Sequence, residues 1–155
     1  LLSLKGGDDE RSDSLYRVAI EKRRRLLGPT HPELITTMVN YADHLARMKR
    51  HPEAARLARE VLGVTPDVLG AENPRRGSAM QTLGRSLSYM DSLAAGERWL
   101  RASLEHRRSN LSEGHWLLAS SESVLGEHMV LAGRFARIAT VEEALAAATT
   151  GRLAA

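Results

Sequence analysis

The amino-acid sequence predicts an all-α protein, a right-handed α-solenoid of antiparallel helix hairpins. Two observations lead to this fold class. The sequence aligns with itself, without a gap, when it is shifted by 42 residues. Apolar residues recur every three or four positions within each aligned unit, which is the spacing of one face of an α-helix. The aligned pairs include Leu27-Gly28 with Leu69-Gly70, His31-Pro32 with Asn73-Pro74, and Tyr41-Ala42 with Leu83-Gly84.

The whole chain, residues 1–155, is interpreted as a single repeat domain that begins with a partial repeat at residues 1–27. The 42-residue shift places Gly7 on Lys49, a turn position. Residues 1–5 are therefore expected to be the last turn of an incomplete first helix, followed by a second helix. Because the exposed end of a repeat array is apolar, we expect further repeats or another domain to precede this fragment in its parent protein.

The first complete repeat is predicted at residues 31–69. Its first helix carries an apolar stripe, and Thr30 and Glu33 have the spacing of a capping box. A polar turn at Lys49-Arg50 leads to the second helix. Gly63 and Pro66 should end that helix near residue 62, because a proline inside a helix costs about 3 kcal/mol. The stripe of the first helix consists of Ile35, Met38, Ala42, Leu45 and Met48, and that of the second of Leu57, Ala58, Val61 and Leu62.

The next repeats are predicted at residues 73–111 and 115–150. Asn73 is suited to cap the first helix of the earlier one, and Pro74 suits its first turn. Gly84 and Gly126 occupy the position of Ala42, where a small side chain lets two helix axes approach closely. Because glycine within a helix is destabilising by about 0.5–1 kcal/mol, both glycines indicate a packing requirement.

These features resemble the tetratricopeptide repeat (TPR) family, whose first helix carries Leu-Gly or Leu-Ala and whose turn places Gly before an aromatic residue. Leu125-Gly126, Met129, Gly133 and Phe135 follow that order, whereas Ile138 and Glu142 depart from it. The 42-residue period is similar to the long-repeat variant of kinesin light chains, and residues 26–32 resemble its inter-repeat link. Residues 114–116, 123–127 and 133–135 resemble the C-terminal repeats of some bacterial serine/threonine protein kinases. The resemblance implies a protein–protein interaction scaffold, the repeat region of a larger signalling protein.

The composition excludes several classes of protein. The chain has 155 residues and no cysteine, so disulfides and thiolate metal sites are excluded. It has no apolar run of membrane-spanning length and no secretory signal, and we expect a cytoplasmic protein. Aromatic residues make up only 4%, which disfavours a base-stacking nucleic-acid binder. The net charge of +3 is compatible with an acidic partner, or simply with arginines on solvated helix faces.

No catalytic, cofactor or metal-binding motif occurs in the sequence, so we expect a protein that is not an enzyme and needs no cofactor. The six histidines lack the four-residue spacing of a zinc helix, and Gly6-Gly7 lacks the ending of a phosphate loop. His44 and His128 are expected to face the groove and to contribute polarity. An alternative function is a basic outer strip that binds nucleic acid or another polyanion. The strip would comprise Arg23, Arg24, Arg25, Arg107 and Arg108, unless Glu21 and Glu105 neutralise it as an ion-pair ladder.

The family resemblance implies that the first helices line a concave groove that takes a peptide or partner protein. Arg47 and Arg85 could each bind a carboxylate through two hydrogen bonds, and Tyr89 is of a type enriched at interfaces. We therefore expect a partner segment that carries acidic side chains. The predicted groove residues are Thr36, Val39, Asn40, Asp43, Arg47, Ser78, Gln81, Thr82, Arg85, Tyr89, Ser120, Ser123, Glu127 and Leu131.

Overall fold

The computed structural model describes residues 2–70 and 72–133 as consecutive helices joined by short turns. They are α1 (Leu2–Leu27), α2 (Pro32–Arg47), α3 (His51–Leu69), α4 (Pro74–Ser88) and α5 (Leu93–Asn110), followed by α6 at residues 116–133. No strand occurs in these ranges, and the predicted all-α solenoid is confirmed. None of the described helices is long and apolar enough to cross a bilayer.

Equivalent helices begin at a constant interval along the chain. α2, α4 and α6 begin 42 residues apart, and so do α3 and α5. The turns that close the two hairpins also match, since Lys49 and Asp91 both have a positive φ, of 61° and 59°. α2 packs against α1 and α3, and it also contacts α4 directly. The first helices of successive hairpins therefore lie side by side and form one face of the solenoid.

The hydrophobic core lies between α2, α3 and α4. The predicted stripe of α2 is confirmed, because Ile35, Met38, Ala42 and Leu45 are all at most 2% exposed. Alanines on the facing side of α3 leave room for these larger side chains. The α3 residues in the core are Ala54, Ala55, Leu57, Ala58 and Val61, and Leu83 of α4 completes it from the next hairpin.

A side-chain cap recurs at the start of α2, α4 and α6. His31 Nδ1 accepts a hydrogen bond from the N–H of Glu33 (3.2 Å), Asn73 Oδ1 from that of Arg75 (3.0 Å), and His115 Nδ1 from that of Leu117 (3.2 Å). The prediction for Asn73 is confirmed. The capping box at Thr30 is wrong, because the extended residue before the helix is His31, and its imidazole takes the capping role.

Replacing the α4 cap should weaken the fold measurably. Asn73→Ala leaves the N–H of Arg75 without its acceptor, and we expect the free energy of unfolding to fall by about 1 kcal/mol. Ser92→Ala is the matched control, because Ser92 precedes α5 but its side chain makes no capping hydrogen bond. This control should change the free energy of unfolding by only a few tenths of a kcal/mol. Urea unfolding of both variants measures the difference, and equal losses would contradict the capping role of Asn73.

The two predicted helix interruptions are wrong. α1 runs through Gly6 and Gly7 from Leu2 to Leu27, and α3 runs through Gly63 and Pro66 to Leu69. Each glycine in a helix costs only about 1 kcal/mol, which is not sufficient to end a helix that keeps its other hydrogen bonds. In α3, Val64 packs against the core after Gly63, and Pro66 removes a single backbone donor near the helix end. The chain leaves α3 at Gly70, which has a φ of 80°.

The predicted close approach at Gly84 is confirmed. A Cβ on Gly84 would lie 2.9 Å from the carbonyl oxygen of Gly96 and 2.8 Å from Leu100 Cγ, so α4 and α5 cross in close contact. At Gly126 no atom lies within 4 Å of the equivalent point in the described part of the chain. The helix expected to pack there belongs to residues 134–150, which lie outside the described residues, as do Phe135, Ile138 and Glu142.

Candidate functional site

The face formed by α2, α4 and α6 carries a hollow of about 250 Å³. Seven of the predicted groove residues line it, namely Val39, Asn40 and Asp43 from α2, Ser78, Gln81 and Thr82 from α4, and Ser120 from α6. Gln81 Nε2 donates a hydrogen bond to Ser120 Oγ (3.3 Å), which joins α4 to α6 across the hollow. Most of these side chains are polar, and Asp43 is the only charged one among them.

Trp116 stands beside this hollow at the start of α6. Its side chain is 70% exposed although it is the largest apolar residue in the region. One neighbour is His115, whose ring centroid lies 6.1 Å away. An exposed tryptophan at the edge of a polar hollow is the kind of residue that anchors a binding partner. Trp116 was absent from the predicted groove residues, although its place at the start of a first helix could have indicated it.

Arg107 of α5 lies within the wall of the same hollow. The prediction that it belongs to an outward basic strip is wrong, since only 2% of the residue is exposed. Its guanidinium donates to the side-chain oxygen of Gln81, to Ser121 Oγ, to Ser78 Oγ (3.1 Å) and to the carbonyl oxygen of Leu117 (3.1 Å). Burial lowers the pKa of Arg107 to about 10, so it remains protonated at neutral pH.

The repeat itself contained a signal for Arg107. Arg23 occupies the equivalent position two repeats earlier and donates to the hydroxyl of Thr37, just as Arg107 donates to that of Ser121. Thr37 and Ser121 are equivalent positions too, and both are buried. In these two repeats the buried hydroxyl follows the arginine by the same interval along the chain, which indicates a hydrogen bond between the two side chains. Arg23 itself is still 42% exposed.

Asp43 pairs with both arginines that were predicted to bind a partner's carboxylate. Arg85 Nη2 lies 2.8 Å from Asp43 Oδ1, and Arg47 Nε lies 3.2 Å from Asp43 Oδ2. Arg85 is largely buried, with 19% of its side chain exposed, whereas Arg47 is exposed. A ligand carboxylate would therefore have to compete with Asp43 for either guanidinium, which weakens the case for these two residues as the primary recognition pair.

A second hollow, of about 340 Å³, lies towards the end of α4 and α6 and is lined by Tyr89, Glu127 and Leu131 among others. The Tyr89 ring stacks on His51, with centroids 4.8 Å apart. Burial lowers the pKa of His51, and the charges of Arg85 and Lys49 lower it further. Four of the predicted groove residues, Thr36, Arg47, Arg85 and Ser123, line neither hollow.

Three arginines of the predicted outer strip, Arg23, Arg24 and Arg108, are paired with carboxylates. Arg24 Nη2 lies 2.6 Å from Glu60 Oε1, and Arg108 Nη2 lies 3.2 Å from Glu122 Oε1. Arg23 approaches Glu33 as well as the hydroxyl of Thr37. The partners differ from the predicted Glu21 and Glu105, but the consequence is the same: these charges are matched locally. With Arg107 buried, the described surface gives no support to a continuous basic strip for a polyanion.

The expectation that His44 and His128 face the groove is wrong. His128 is 3% exposed, and its Nδ1 lies 2.8 Å from Ser88 Oγ, while Nε2 lies 3.9 Å from Glu97 Oε2. Ser88 Oγ donates to the carbonyl oxygen of Gly84, so the imidazole is assigned as the donor to Ser88. This arrangement leaves Ser88 without the general base that a nucleophilic serine needs. His44 is half-buried next to Tyr16.

A further hollow of about 350 Å³ lies between α1, α2 and α3, on the other side of the core. Its floor is apolar and includes Ile20 and Leu57, and its rim carries charges of both signs. Several of those charges are already paired, as for Arg24 with Glu60 and Arg17 with Glu53. In the described ranges no group of three or more acidic or histidine side chains is arranged to hold a metal ion.

Comparison with known proteins agrees with this architecture. Residues 4–67 match the family model described as Tetratricopeptide repeat. No curated protein sequence matches the chain. The structure of BtubC (BKLC) from P. vanneervenii is similar, with a TM-score of 0.69 and 20% identity over 83% of this chain and 52% of that one. The structure of a putative kinesin light chain from Podospora anserina with nearly identical TPR-like repeats is also similar. Its TM-score is 0.62, and its identity is 17% over 89% of this chain and 65% of that one. This chain spans about half to two thirds of those structures, which share its fold.

Proposed function

We propose that this TPR-like solenoid is a scaffold that binds a segment of a partner protein along the face formed by α2, α4 and α6. The observation that carries the proposal is the polar hollow at which seven predicted groove residues from three successive first helices meet. TPR repeats generally mediate protein–protein interaction, and residues 4–67 match that family. The polar walls suit a ligand that presents its own backbone or polar side chains.

The side chains around the hollow match the needs of an extended peptide. Asn40 and Gln81 carry amides that donate to and accept from a peptide backbone, and Ser120 adds a hydroxyl. Trp116 offers a large, exposed apolar surface next to them. Interfaces of this kind derive most of their affinity from a few aromatic or arginine residues surrounded by polar contacts. We therefore place the energetic centre of the interaction at Trp116 and the polar walls around it.

We further propose that this region belongs to a larger cytoplasmic signalling protein, such as a bacterial serine/threonine kinase. The support is the resemblance of residues 114–116 and 123–127 to repeats linked to such kinases, together with the partial coverage of the solved structures. The parent reading frame tests this context directly. Kinase catalytic-loop and metal-binding motifs encoded upstream would support it, and a complete reading frame without them would contradict it.

The groove can be tested with peptides selected from a random display library on the intact chain. For a selected peptide, Trp116→Ala should raise Kd at least tenfold, since loss of a central aromatic anchor typically costs about 2 kcal/mol or more. Leu26→Ala is the matched control, because Leu26 is an equally exposed apolar side chain (72%) on α1. Fluorescence polarisation measures both affinities, and circular dichroism checks that helicity is retained.

The opposite pattern would contradict the proposal. If Leu26→Ala weakens the selected peptides and Trp116→Ala leaves their Kd unchanged, the binding surface lies on the α1 side of the solenoid. If Trp116→Ala leaves the Kd of every selected peptide unchanged, the face formed by α2, α4 and α6 is not the binding surface.

A further inference from the structure

Arg107 is a buried cation that is held by neutral groups. Its four acceptors are the amide of Gln81, the hydroxyls of Ser78 and Ser121, and the carbonyl oxygen of Leu117. Among the described residues no carboxylate forms an ion pair with it, and its Nε has no hydrogen-bond partner. A buried charge without a counterion is costly, so such groups are normally paired with an opposite charge. Arg107 departs from that rule.

The unpaired charge lies beside an open volume. Arg107 lines the 250 Å³ hollow together with Asn40, Ser78, Gln81 and Ser120, none of which is charged. The one acidic residue in this lining is Asp43, whose two carboxylate oxygens are engaged by Arg85 and Arg47. The hollow therefore has room for a small anionic group and a single cation in its wall that lacks a counterion.

The charge balance selects the kind of anion. One guanidinium is matched by one monovalent group, and a carboxylate is planar and fits the donor fork of arginine. A phosphate group carries about −1.5 to −2 charges, more than one guanidinium matches. The hollow also lies midway along the face, since first helices from three hairpins contribute to it. A chain lying in the groove can therefore continue past it in both directions, which favours a side-chain carboxylate over a chain terminus.

We propose that this hollow is a subsite for an aspartate or glutamate side chain of the bound partner, with Arg107 as the residue that recognises the carboxylate. Gln81 holds the guanidinium in the free protein, and its amide oxygen occupies the place that a carboxylate oxygen takes on binding. The proposal rests on the groove-binding function above and adds a specificity to it: the partner must present an acidic residue next to the segment that contacts Trp116.

The free anion provides a direct test on the unaltered protein. Sodium acetate is titrated into the ¹⁵N-labelled chain, and the side-chain Nε–H resonance of Arg107 is followed, with acetamide at equal concentrations as the neutral control. Acetate should shift the Arg107 resonance in a saturable manner, and acetamide should not. Arg85 is an internal reference, because its Nε is also buried without a hydrogen-bond partner but its guanidinium already pairs with Asp43. Equal responses of Arg85 and Arg107, or no response at Arg107, would overturn the subsite.

Gln81→Glu tests the subsite by supplying a carboxylate from the protein itself. It puts a carboxylate of the same size against Arg107, so it should raise Tm and weaken both acetate and an acidic selected peptide at least tenfold. Ser109→Glu is the matched control: it adds the same charge at an exposed position of α5 outside the hollow and the groove and should change both affinities less than twofold. If Gln81→Glu binds acetate as the unaltered chain does, the proposal is wrong, whatever its stability.

The subsite and the groove fail in different ways. Saturable acetate binding at Arg107 without any Trp116-dependent peptide would support the subsite and contradict the proposed function. Trp116-dependent peptides that tolerate Gln81→Glu, and that keep their affinity when each Asp or Glu is changed to Asn or Gln, would support the groove and overturn the subsite.

Discussion

Gly96→Ala is expected to lower the free energy of unfolding by about 2–3 kcal/mol, the loss typical of an overpacked contact. A Cβ on Gly96 would lie 2.3 Å from Ser88 Oγ, 2.9 Å from the carbonyl oxygen of Gly84 and 3.0 Å from the backbone nitrogen of Ser88. Two of these atoms are backbone, so relief requires α4 and α5 to move apart. Their separation would also disturb the hydrogen bond between Ser88 and His128, which joins α6 to α4.

Gly63→Ala is the matched control for this variant. Gly63 also lies within a helix, but nothing in the described structure comes within 4 Å of its added Cβ. The substitution should raise stability by about 0.5–1 kcal/mol, because alanine is the better helix former. Urea unfolding or Tm measures both effects. If Gly96→Ala is stabilised to the same extent as Gly63→Ala, the close crossing of α4 and α5 is not present in solution.

Asp13→Ala is expected to lower the free energy of unfolding by a similar amount, about 2–3 kcal/mol, because charged hydrogen bonds are lost and their donors are left unpaired. Asp13 Oδ1 accepts from Tyr41 Oη (2.6 Å) and from Arg50, and Asp13 Oδ2 lies 2.9 Å from Arg17 Nε. One side chain of α1 thus binds α2 and the turn before α3. The control is Arg17→Ala, since Arg17 is 57% exposed and such ion pairs contribute about 0–1 kcal/mol.

The same network predicts a dependence of stability on pH. Burial alone would raise the pKa of Asp13, but the hydrogen bonds from Tyr41 and Arg50 and the nearby arginine charges lower it below its ordinary value of 3.8. The hydrogen bond from Arg50 holds the pKa of Glu53 below its ordinary value of 4.5. Both carboxyls bind protons more weakly in the folded state, so their contribution is complete above these ordinary values and is lost as the pH falls below them.

Asp13→Asn should reduce that dependence. Thermal unfolding between pH 6 and pH 3, roughly the range that brackets both carboxyls, should show a smaller loss of Tm in the variant than in the unaltered chain. If the two proteins lose Tm equally, the ionised carboxylate of Asp13 does not stabilise the fold through its hydrogen bonds and ion pairs.

The architecture was predictable because it depends on spacing. Apolar residues at three- and four-residue steps define the buried face of α2, and the 42-residue shift locates the helix starts without knowledge of any contact. Asn73 and Gly84 were also identified correctly, since capping and close approach each select for particular residue types. The interruptions expected at Gly7 and Pro66 did not occur, because helix propensity is weak beside packing and the retention of backbone hydrogen bonds.

The groove was predictable in outline and not in its charges. Repeat alignment brought Asn40, Gln81 and Ser120 to one hollow, but it could not show that Asp43 engages Arg85 and Arg47. Those pairs depend on side-chain conformations, and the contact with Arg85 also crosses from α2 to α4. Arg107 was misplaced for a related reason: its sequence neighbours are charged, as on a solvated face, and the neutral acceptors that bury it come from α4 and α6.

The central claim is that a partner segment lies on the face formed by α2, α4 and α6, and mapping of backbone amide shifts tests it most directly. A ¹⁵N spectrum of the chain is recorded with and without a peptide from the selection. We predict that the largest shifts fall at residues 36–47, 78–89 and 116–127, with little change in α1 and on the outer side of α3. Shifts concentrated around the outer hollow, at Arg17, Arg24, Arg56 and Glu60, would contradict the claim.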